Sequence, residues 1–429
     1  MKMKTGEVNE LLLRTVRAAL HPSEQLSLSP SEWETVRDEL REQTVLALAA
    51  DAVLRSGIGE AEKEKLIGLS AANIRQFHRT MRAEAKLLAL LRANQIPAVI
   101  LKGSAAAQYY PKPQLRHMGD IDLLVAPEDH EKAFRLLCAS GYRNLQELGG
   151  SDRRHIAFSD DDGTEIELHR FFFAEDRSEQ REPFDAWLHE SMKNIETVDV
   201  CGYSVPVFPP LQNGLILLEH IRHHLSSGLG LRQIVDWYCF VQQVCDDGFW
   251  ENCFREKAEA LGLDQLAVVM TGMCRKYLGL TERITWCGDA EAELVDALAD
   301  YVLKRGNFGR KLTGKARKTV STARRFSTPA EAFAYLTAAG SVHMKAAGLR
   351  PVKAVAWLYQ IGHLIRMTAG RRERFDLMDA VQTGIRESAF FKRLGVSFDP
   401  NTDGTQRSQN EKNAAVKRQK TEEQHEQKV

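Results

Sequence analysis

Two aspartates stand two residues apart in a short apolar segment, residues 119–125 (GDIDLLV). An apolar run of this length predicts a buried strand, in which successive side chains point to opposite faces. Asp120 and Asp122 therefore share one face, roughly 6–7 Å apart at about 3.3 Å per residue. Two carboxylates this close resist ionisation unless a cation lies between them. The pair predicts a divalent-metal site whose oxygen ligands favour Mg²⁺ or Mn²⁺ over zinc; the alternative is a loop-to-strand junction with two solvated acids.

A second predicted strand, residues 98–102, ends at Gly103-Ser104, where small helix-forming residues begin. A strand that breaks at a glycine into a helix leaves free backbone N–H groups, which bind phosphate well. Lys102 and Arg116 are candidates to neutralise phosphate charge. The alternatives are a strand-end lysine that faces solvent and an arginine that pairs with a local acid. A phosphate site beside a divalent-metal site is suited to attack on a nucleotide phosphate.

The order of these features resembles the DNA polymerase β-type nucleotidyltransferase superfamily: a Gly103-Ser104 turn, a helix, then Asp120-x-Asp122 in a strand. The longer segments around these motifs are LKGSAAAQYYP and LRHMGDIDLLV. They are similar to one branch of the superfamily, the largely uncharacterised bacterial nucleotidyltransferases. The resemblance is good over the core, residues 85–210, and thinner in the flanking helices. It implies a polymerase β-like fold, Mg²⁺ or Mn²⁺ as cofactor and a nucleoside triphosphate (NTP) as donor.

The superfamily pattern also requires a third acid on a later strand. A hairpin is predicted from residues 155–159 and 164–173, and in its second strand Glu165, Glu167 and His169 share one face. The resemblance implies that Glu167 is the third acid, with Glu165 as the competing candidate. The alternative is that these acids line the solvent-exposed face of an antiparallel sheet. The predicted catalytic and metal-binding residues are Asp120, Asp122 and Glu167, and the predicted phosphate-binding residues are Lys102, Gly103, Ser104 and Arg116.

The predicted fold class is α+β, with a small mixed-sheet nucleotidyltransferase core between two helical regions. Apolar residues recur at helical spacing before the core and again after Pro209-Pro210. Asn, Gln, Lys and Glu dominate the C-terminal stretch, which predicts a disordered tail. The predicted domains are an N-terminal helical region (1–84), the core (85–210), a C-terminal helical domain (211–398) and the tail (399–429).

Two residue pairs with helical spacing follow the core. His220 and His224 share a helix face, but no Glu follows His220, so the HExxH zinc motif is absent and a place beneath a nucleotide pocket is favoured. Arg232 and Asp236 are also four apart and predict either a surface ion pair or a partly buried pair. Their apolar neighbours favour burial and a supporting or substrate-side role.

The amino-acid composition limits which partners and which cellular compartment are expected. Lys and Arg balance Asp and Glu at 58 each, which argues against a protein that coats nucleic acid or membrane. A local exception is residues 310–325, with seven bases and no acid, either a solvated face or a phosphate- or nucleic-acid-binding patch. The seven cysteines form no CxxC pair, which predicts reduced thiols in a cytoplasmic protein. No signal peptide or run of eighteen apolar residues is found, so no membrane insertion is expected.

Three functions stay open at this point. The first is a transferase that moves a nucleoside monophosphate to a hydroxyl on a small molecule, protein or RNA end and releases pyrophosphate. The second is a protein-modifying AMP transferase or a toxin–antitoxin component. The third is a catalytically inactive, nucleotide-binding regulator. Resemblance of fold does not choose among them, and the acceptor is not readable from the helical regions.

Overall fold

A computed structural model describes residues 5–145, 154–172, 181–225, 228–307, 328–368 and 377–396. Within these ranges, seven strands form one mixed sheet with helices on both faces, which confirms the predicted fold class. The strands are β1 (Ala98–Ile100), β2 (Ile121–Val125), β3 (Arg143–Asn144), β4 (His155–Ser159), β5 (Glu165–His169), β6 (Glu196–Val200) and β7 (Tyr203–Val207).

The helices occur before, between and after the strands along the chain. Among the described residues, four helices precede β1, three lie between β1 and β7 in the sequence, and the rest follow β7. They are α1 (Thr5–Leu20), α2 (Pro30–Glu42), α3 (Leu46–Leu54), α4 (Glu60–Ala93), α5 (Ser104–Ala107), α6 (His130–Ala139), α7 (Arg181–Ser191), α8 (Pro210–Leu225), α9 (Leu231–Gln243), α10 (Asp247–Phe249), α11 (Arg255–Ala260), α12 (Asp264–Leu278), α13 (Ala292–Arg305), α14 (Pro329–Ala346), α15 (Lys353–Thr368) and α16 (Leu377–Arg393). No described helix combines the length and the hydropathy needed to span a bilayer.

The strand order is β3-β4-β5-β2-β1-β7-β6, which places the aspartate-bearing strand near the centre. β2 is antiparallel to β1 and parallel to β5, and this second pairing sets Asp122 opposite Glu167. The predicted hairpin between β4 and β5 is present, and its turn closes at Gly163, whose φ of +78° favours glycine. Two distant parts of the sequence thus meet on adjacent strands.

The two faces of β2 belong to different apolar cores. Ile121 and Leu123 pack with α4 and α6, in a cluster that includes Met81 and Leu137. Leu124 joins the larger cluster formed by α1–α3 together with α8, α9, α12 and α13. Because side chains alternate along a strand, Asp122 lies on the same face as Leu124. The carboxylate face of the sheet is therefore turned toward the helical regions.

One of the predicted domain boundaries lies within a helix. α4 runs without a break from Glu60 to Ala93, through the boundary predicted at residue 84. The N-terminal helices share one apolar core with the C-terminal ones. The division into four segments stays a prediction. Residues 399–429 and the basic stretch 310–325 lie outside the described residues.

A buried ion pair joins the β1–β2 connection to α9. Arg116 is 6 % exposed, and its Nε and Nη2 donate to Asp236 Oδ1 and Oδ2 over 2.8 and 2.9 Å. The Tyr110 hydroxyl also donates to Asp236 Oδ1, over 2.7 Å. Asp236 is indeed buried, as its neighbours indicated, but Arg116 rather than Arg232 binds it. The spacing of four residues did not identify this partner, because the contact spans 120 residues of sequence.

Removing the Asp236 carboxylate should destabilise the protein more than deleting the whole ion pair. In Asp236→Ala the Arg116 guanidinium stays buried without its counter-charge, which costs about 3–5 kcal/mol. The double variant Arg116→Met/Asp236→Leu removes both charges, and we expect it to recover most of that loss. Urea unfolding followed by circular dichroism measures both; wild-type stability in Asp236→Ala would contradict the assignment.

Candidate active site

The three predicted acids lie together at the centre of the sheet. Asp120 immediately precedes β2, Asp122 lies within it, and the parallel register places Glu167 beside Asp122. One carboxylate oxygen from each lies within 4.8 Å of the others. We call these three residues the acid group. The competitor Glu165 is not part of any metal-binding group found among the described residues.

Repulsion between the carboxylates of the acid group changes the pKa of Asp120. The Asp122 carboxylate, followed by burial, raises the pKa of Asp120 to about 7. Lys102 partly offsets this negative charge, with its Nζ 2.6 Å from Asp122 Oδ1. Burial alone would lower the pKa of Lys102, but the acid group raises it. Lys102 therefore faces the carboxylates, not solvent.

The donor set of the acid group fits a divalent cation. Carboxylate oxygens are the ligands that Mg²⁺ and Mn²⁺ prefer. The neighbouring carboxylates raise the pKa of Asp120, as expected where negative charge exceeds the positive charge close to it. A bound divalent ion would relieve that repulsion.

His169 also belongs to this site, although the sequence analysis assigned it no role. It is 2 % exposed, and its Nε2 lies 3.2 Å from both Asp122 Oδ1 and Glu167 Oε2. His155 approaches from β4, with Nε2 3.5 Å from Glu167 Oε1. Strand alternation had already placed His169 on the face of Glu167, and this was the available signal. The contact with Asp122 required the register of β2 and β5.

The protonation of this part of the site reflects the same contacts. Burial alone would lower the pKa of His169, but hydrogen bonds to Asp122 and Glu167 raise it. Burial would raise the pKa of Glu167, yet the hydrogen bond to His169 and the charges of His155 and Lys102 hold it well below its ordinary range. Glu167 is consequently ionised at neutral pH.

The Gly103-Ser104 turn connects β1 to α5 as predicted. Gly103 has a φ of +61°, in the region that favours glycine. The Ser104 side chain is fully buried, and its Oγ lies 2.7 and 2.8 Å from the two carboxylate oxygens of Glu84 on α4. The hydroxyl thus bonds to Glu84, a residue that the sequence analysis missed because the contact spans two elements. Phosphate binding by this turn stays a prediction.

A second set of side chains, the basic cluster, consists of Lys102, His220, His224 and Arg232. The rings of His220 and His224 lie 4.2 Å apart, centroid to centroid. Burial, and then the positive charges of neighbours that include Lys102 and Arg232, hold the pKa of both histidines well below its ordinary range. Both histidines are therefore neutral at pH 7, and Lys102 and Arg232 carry the charge of the cluster.

Arg232 differs from Arg116 in how its guanidinium is satisfied. Asp236 neutralises Arg116, so the predicted phosphate contact of Arg116, which stays a prediction, would compete with that ion pair. Arg232 Nη1 donates to the His117 carbonyl over 3.2 Å, and its buried Nε has no hydrogen-bond partner among the described residues. Burial and the charge of Arg116 lower the pKa of Arg232, and Asp120 is among the acids that oppose this.

Comparison with known proteins agrees with this geometry. A family described as uncharacterised nucleotidyltransferases matches residues 29–279. The chain belongs to this nucleotidyltransferase family. The match contains the whole acid group and basic cluster, and it confirms the resemblance given by the residues alone.

The other comparisons add little. No curated protein matches the chain. Among solved structures, the chain is similar to an antigenic nucleotidyltransferase-like protein from Paracoccidioides brasiliensis, with 16% identity and a TM-score of 0.31. That match covers 49% of this chain and 95% of the other.

Glu84 should make the stability of this nucleotidyltransferase depend on pH. Burial raises its pKa from 4.5 to about 7, against the opposing hydrogen bond from Ser104. The folded state therefore holds this proton more tightly than the unfolded chain, and the stabilisation present below about pH 4.5 is lost as the pH rises to about 7. The loss amounts to about 3 kcal/mol.

The neutral variant Glu84→Gln should therefore raise the free energy of unfolding at pH 8 and leave it nearly unchanged at pH 5. Urea unfolding at both values measures this. Glu64→Gln, an exposed change on the same helix, is the matched control. No gain from Glu84→Gln at pH 8 would show that the buried carboxyl is not destabilising when ionised.

Proposed function

We propose that this family member transfers a nucleoside monophosphate from an NTP to a hydroxyl acceptor and releases pyrophosphate. The observation that carries the proposal is the acid group, three carboxylates within 4.8 Å of one another on the sheet face turned toward the helical regions. Their association favours catalysis over a regulator without chemistry. Family membership supports nucleotidyl transfer as the general reaction.

Asp120, Asp122 and Glu167 would hold Mg²⁺ or Mn²⁺. When bound, such ions neutralise phosphate charge and lower the pKa of an attacking hydroxyl. The chain's own residues complete the site. Glu167 stays ionised at neutral pH and is thus a better ligand than a proton acceptor. The Gly103-Ser104 turn would offer backbone N–H groups to the terminal phosphates.

Arg232 is the arginine best placed to bind phosphate. Its Nε lacks a hydrogen-bond partner among the described residues, and burial lowers the pKa of its guanidinium while the negative charge of Asp120 opposes this shift. Arg116 is already neutralised by Asp236 and instead fixes the position of α9, on which Arg232 stands. We therefore assign Arg232 and Lys102 to the triphosphate and Arg116 to a positioning role.

Metal-dependent nucleotide binding should be lost when one carboxylate of the acid group is neutralised. We expect at least one of the four α,β-methylene NTP analogues to bind wild type with Mg²⁺ or Mn²⁺ and not with EDTA. Asp122→Asn removes a metal ligand, so it should abolish this difference without loss of folded structure. Isothermal titration calorimetry measures binding, and circular dichroism measures the fold.

Asp161→Asn, which removes the same charge from the exposed β4–β5 turn, is the matched control. Transfer itself is followed as pyrophosphate release with small-molecule, RNA and protein fractions as acceptors. Metal-independent binding, or no binding of any analogue to wild type, would contradict the proposal.

Arg232→Ala should weaken binding of NTP more than binding of the corresponding monophosphate. A hydrogen bond to a charged group contributes about 1.5–3 kcal/mol, so we expect roughly a 10–100-fold higher Kd for the NTP analogue. Calorimetry with both ligands separates contacts to the outer phosphates from contacts to the nucleoside. Arg41→Ala, an exposed change on α2, should alter neither Kd. An equal loss for both ligands would refute the assignment to the outer phosphates.

A further inference from the structure

We propose that the site has a second metal position, formed by His155, Glu167 and His169, which takes a first-row transition ion in preference to Mg²⁺. The proposal deepens the proposed function, since Glu167 belongs both to this position and to the acid group. The acid group offers only oxygen, whereas the second position offers two imidazole nitrogens and a carboxylate. Imidazole suits zinc, iron and similar ions, while Mg²⁺ prefers oxygen.

The distances match a set of donors around one ion. His169 Nε2 lies 3.2 Å from Glu167 Oε2, and His155 Nε2 lies 3.5 Å from Glu167 Oε1. Metal–ligand bonds of about 2.1 Å place neighbouring donors roughly 3.0–3.4 Å apart. Asp122 Oδ1, 3.2 Å from His169 Nε2, is available as a fourth donor. Small movements would bring these atoms to bonding distance from a common centre.

The second ring nitrogen of His169 is an independent observation that points to a ligand. Its Nδ1 lies 3.3 Å from the Phe171 carbonyl, which can only accept, so Nδ1 carries a proton. Nε2 is thereby directed at Asp122 and Glu167. Histidines that bind metals almost always donate their other N–H to a carbonyl or a carboxylate in this way. The His169 side chain is also held rigid by burial, with 2 % exposed.

His155 is the weaker ligand of the two. Arg154 Nε donates to its Nδ1 over 3.3 Å, so in the neutral ring the proton lies on Nε2, toward Glu167. To bind a metal through Nε2, His155 must move this proton to Nδ1 and give up the contact with Arg154. His169 keeps its Nδ1 contact with the Phe171 carbonyl and has only to release the Nε2 proton that it donates to Asp122 and Glu167. Substitution of His169 should therefore have the larger effect.

The alternative is that His169 only donates a hydrogen bond that orients Asp122 and Glu167. The two roles differ in whether nitrogen coordinates the ion. Asparagine separates them, because its amide can still donate to the carboxylates but does not replace imidazole as a ligand. The test uses the full-length protein without nucleotide, so that metal binding is measured apart from transfer.

The experiment titrates Co²⁺ into the protein in excess Mg²⁺ by calorimetry and visible absorption. Pulsed electron paramagnetic resonance of bound Mn²⁺ then detects nitrogen ligands. We expect wild type to bind one Co²⁺ that Mg²⁺ does not displace, and Mn²⁺ to show nitrogen coupling. His169→Asn should weaken Co²⁺ binding about 10–100-fold and remove coupling from that ring, with a smaller loss in His155→Asn. His343→Asn, on α14, should match wild type.

Displacement of Co²⁺ by Mg²⁺, unchanged affinity in His169→Asn, or no nitrogen coupling in wild type would overturn the second position. The coupling is measured on wild type, so this outcome does not depend on the folding of a variant. Failure here leaves metal-dependent NTP binding and its loss in Asp122→Asn intact. Conversely, a nitrogen-coordinated ion in a protein that binds no NTP would support the metal position and refute the proposed function.

Discussion

Repulsion among three carboxylates is the constraint on which this structure depends. The parallel register of β2 and β5 fixes Asp122 opposite Glu167, and Asp120 follows because it adjoins the strand. The backbone positions of Asp122 and Glu167 cannot separate without loss of hydrogen bonds between β2 and β5. The repulsion raises the pKa of Asp120, and the positive charge of Lys102 partly offsets it. The sheet thus concentrates negative charge at the acid group.

The helical regions determine what the acid group faces. The face of β2 that carries Asp122 packs against the large core that unites the N-terminal and C-terminal helices. α8 carries His220 and His224 of the basic cluster, and α9 carries Arg232. The buried pair between Arg116 and Asp236 ties α9 to the β1–β2 connection, between the Gly103-Ser104 turn and the acid group. The pair thus restrains the position of α9, the helix on which Arg232 stands.

The sequence predicted the parts of the site that depend on local periodicity. Strand alternation placed Asp120 and Asp122 on one face and His169 on the face of Glu167, and the structure agrees. The choice of Glu167 over Glu165 came from family resemblance, and the register of two strands 45 residues apart accounts for it. Local spacing failed where partners lie far apart in sequence.

Long-range contacts could not be read in this way. Asp236 suggested Arg232 as its partner because both stand on one helix, but Arg116 provides a bidentate contact in a buried setting. Glu84 and Ser104 likewise meet only because α4 lies against α5. Such pairs depend on how elements pack, and a pattern within one element contains no information about packing between elements.

Electrostatics within the site explain why metal and nucleotide should bind together. His220 and His224 are neutral at pH 7, so the positive charge of the basic cluster comes from Lys102 and Arg232. Lys102 lies 2.6 Å from Asp122 and already offsets part of the charge of the acid group. Two single positive charges do not balance three carboxylates, and a triphosphate would add further negative charge. Phosphate without a divalent ion would be repelled by the acid group, and this repulsion is the physical basis of the proposed metal dependence.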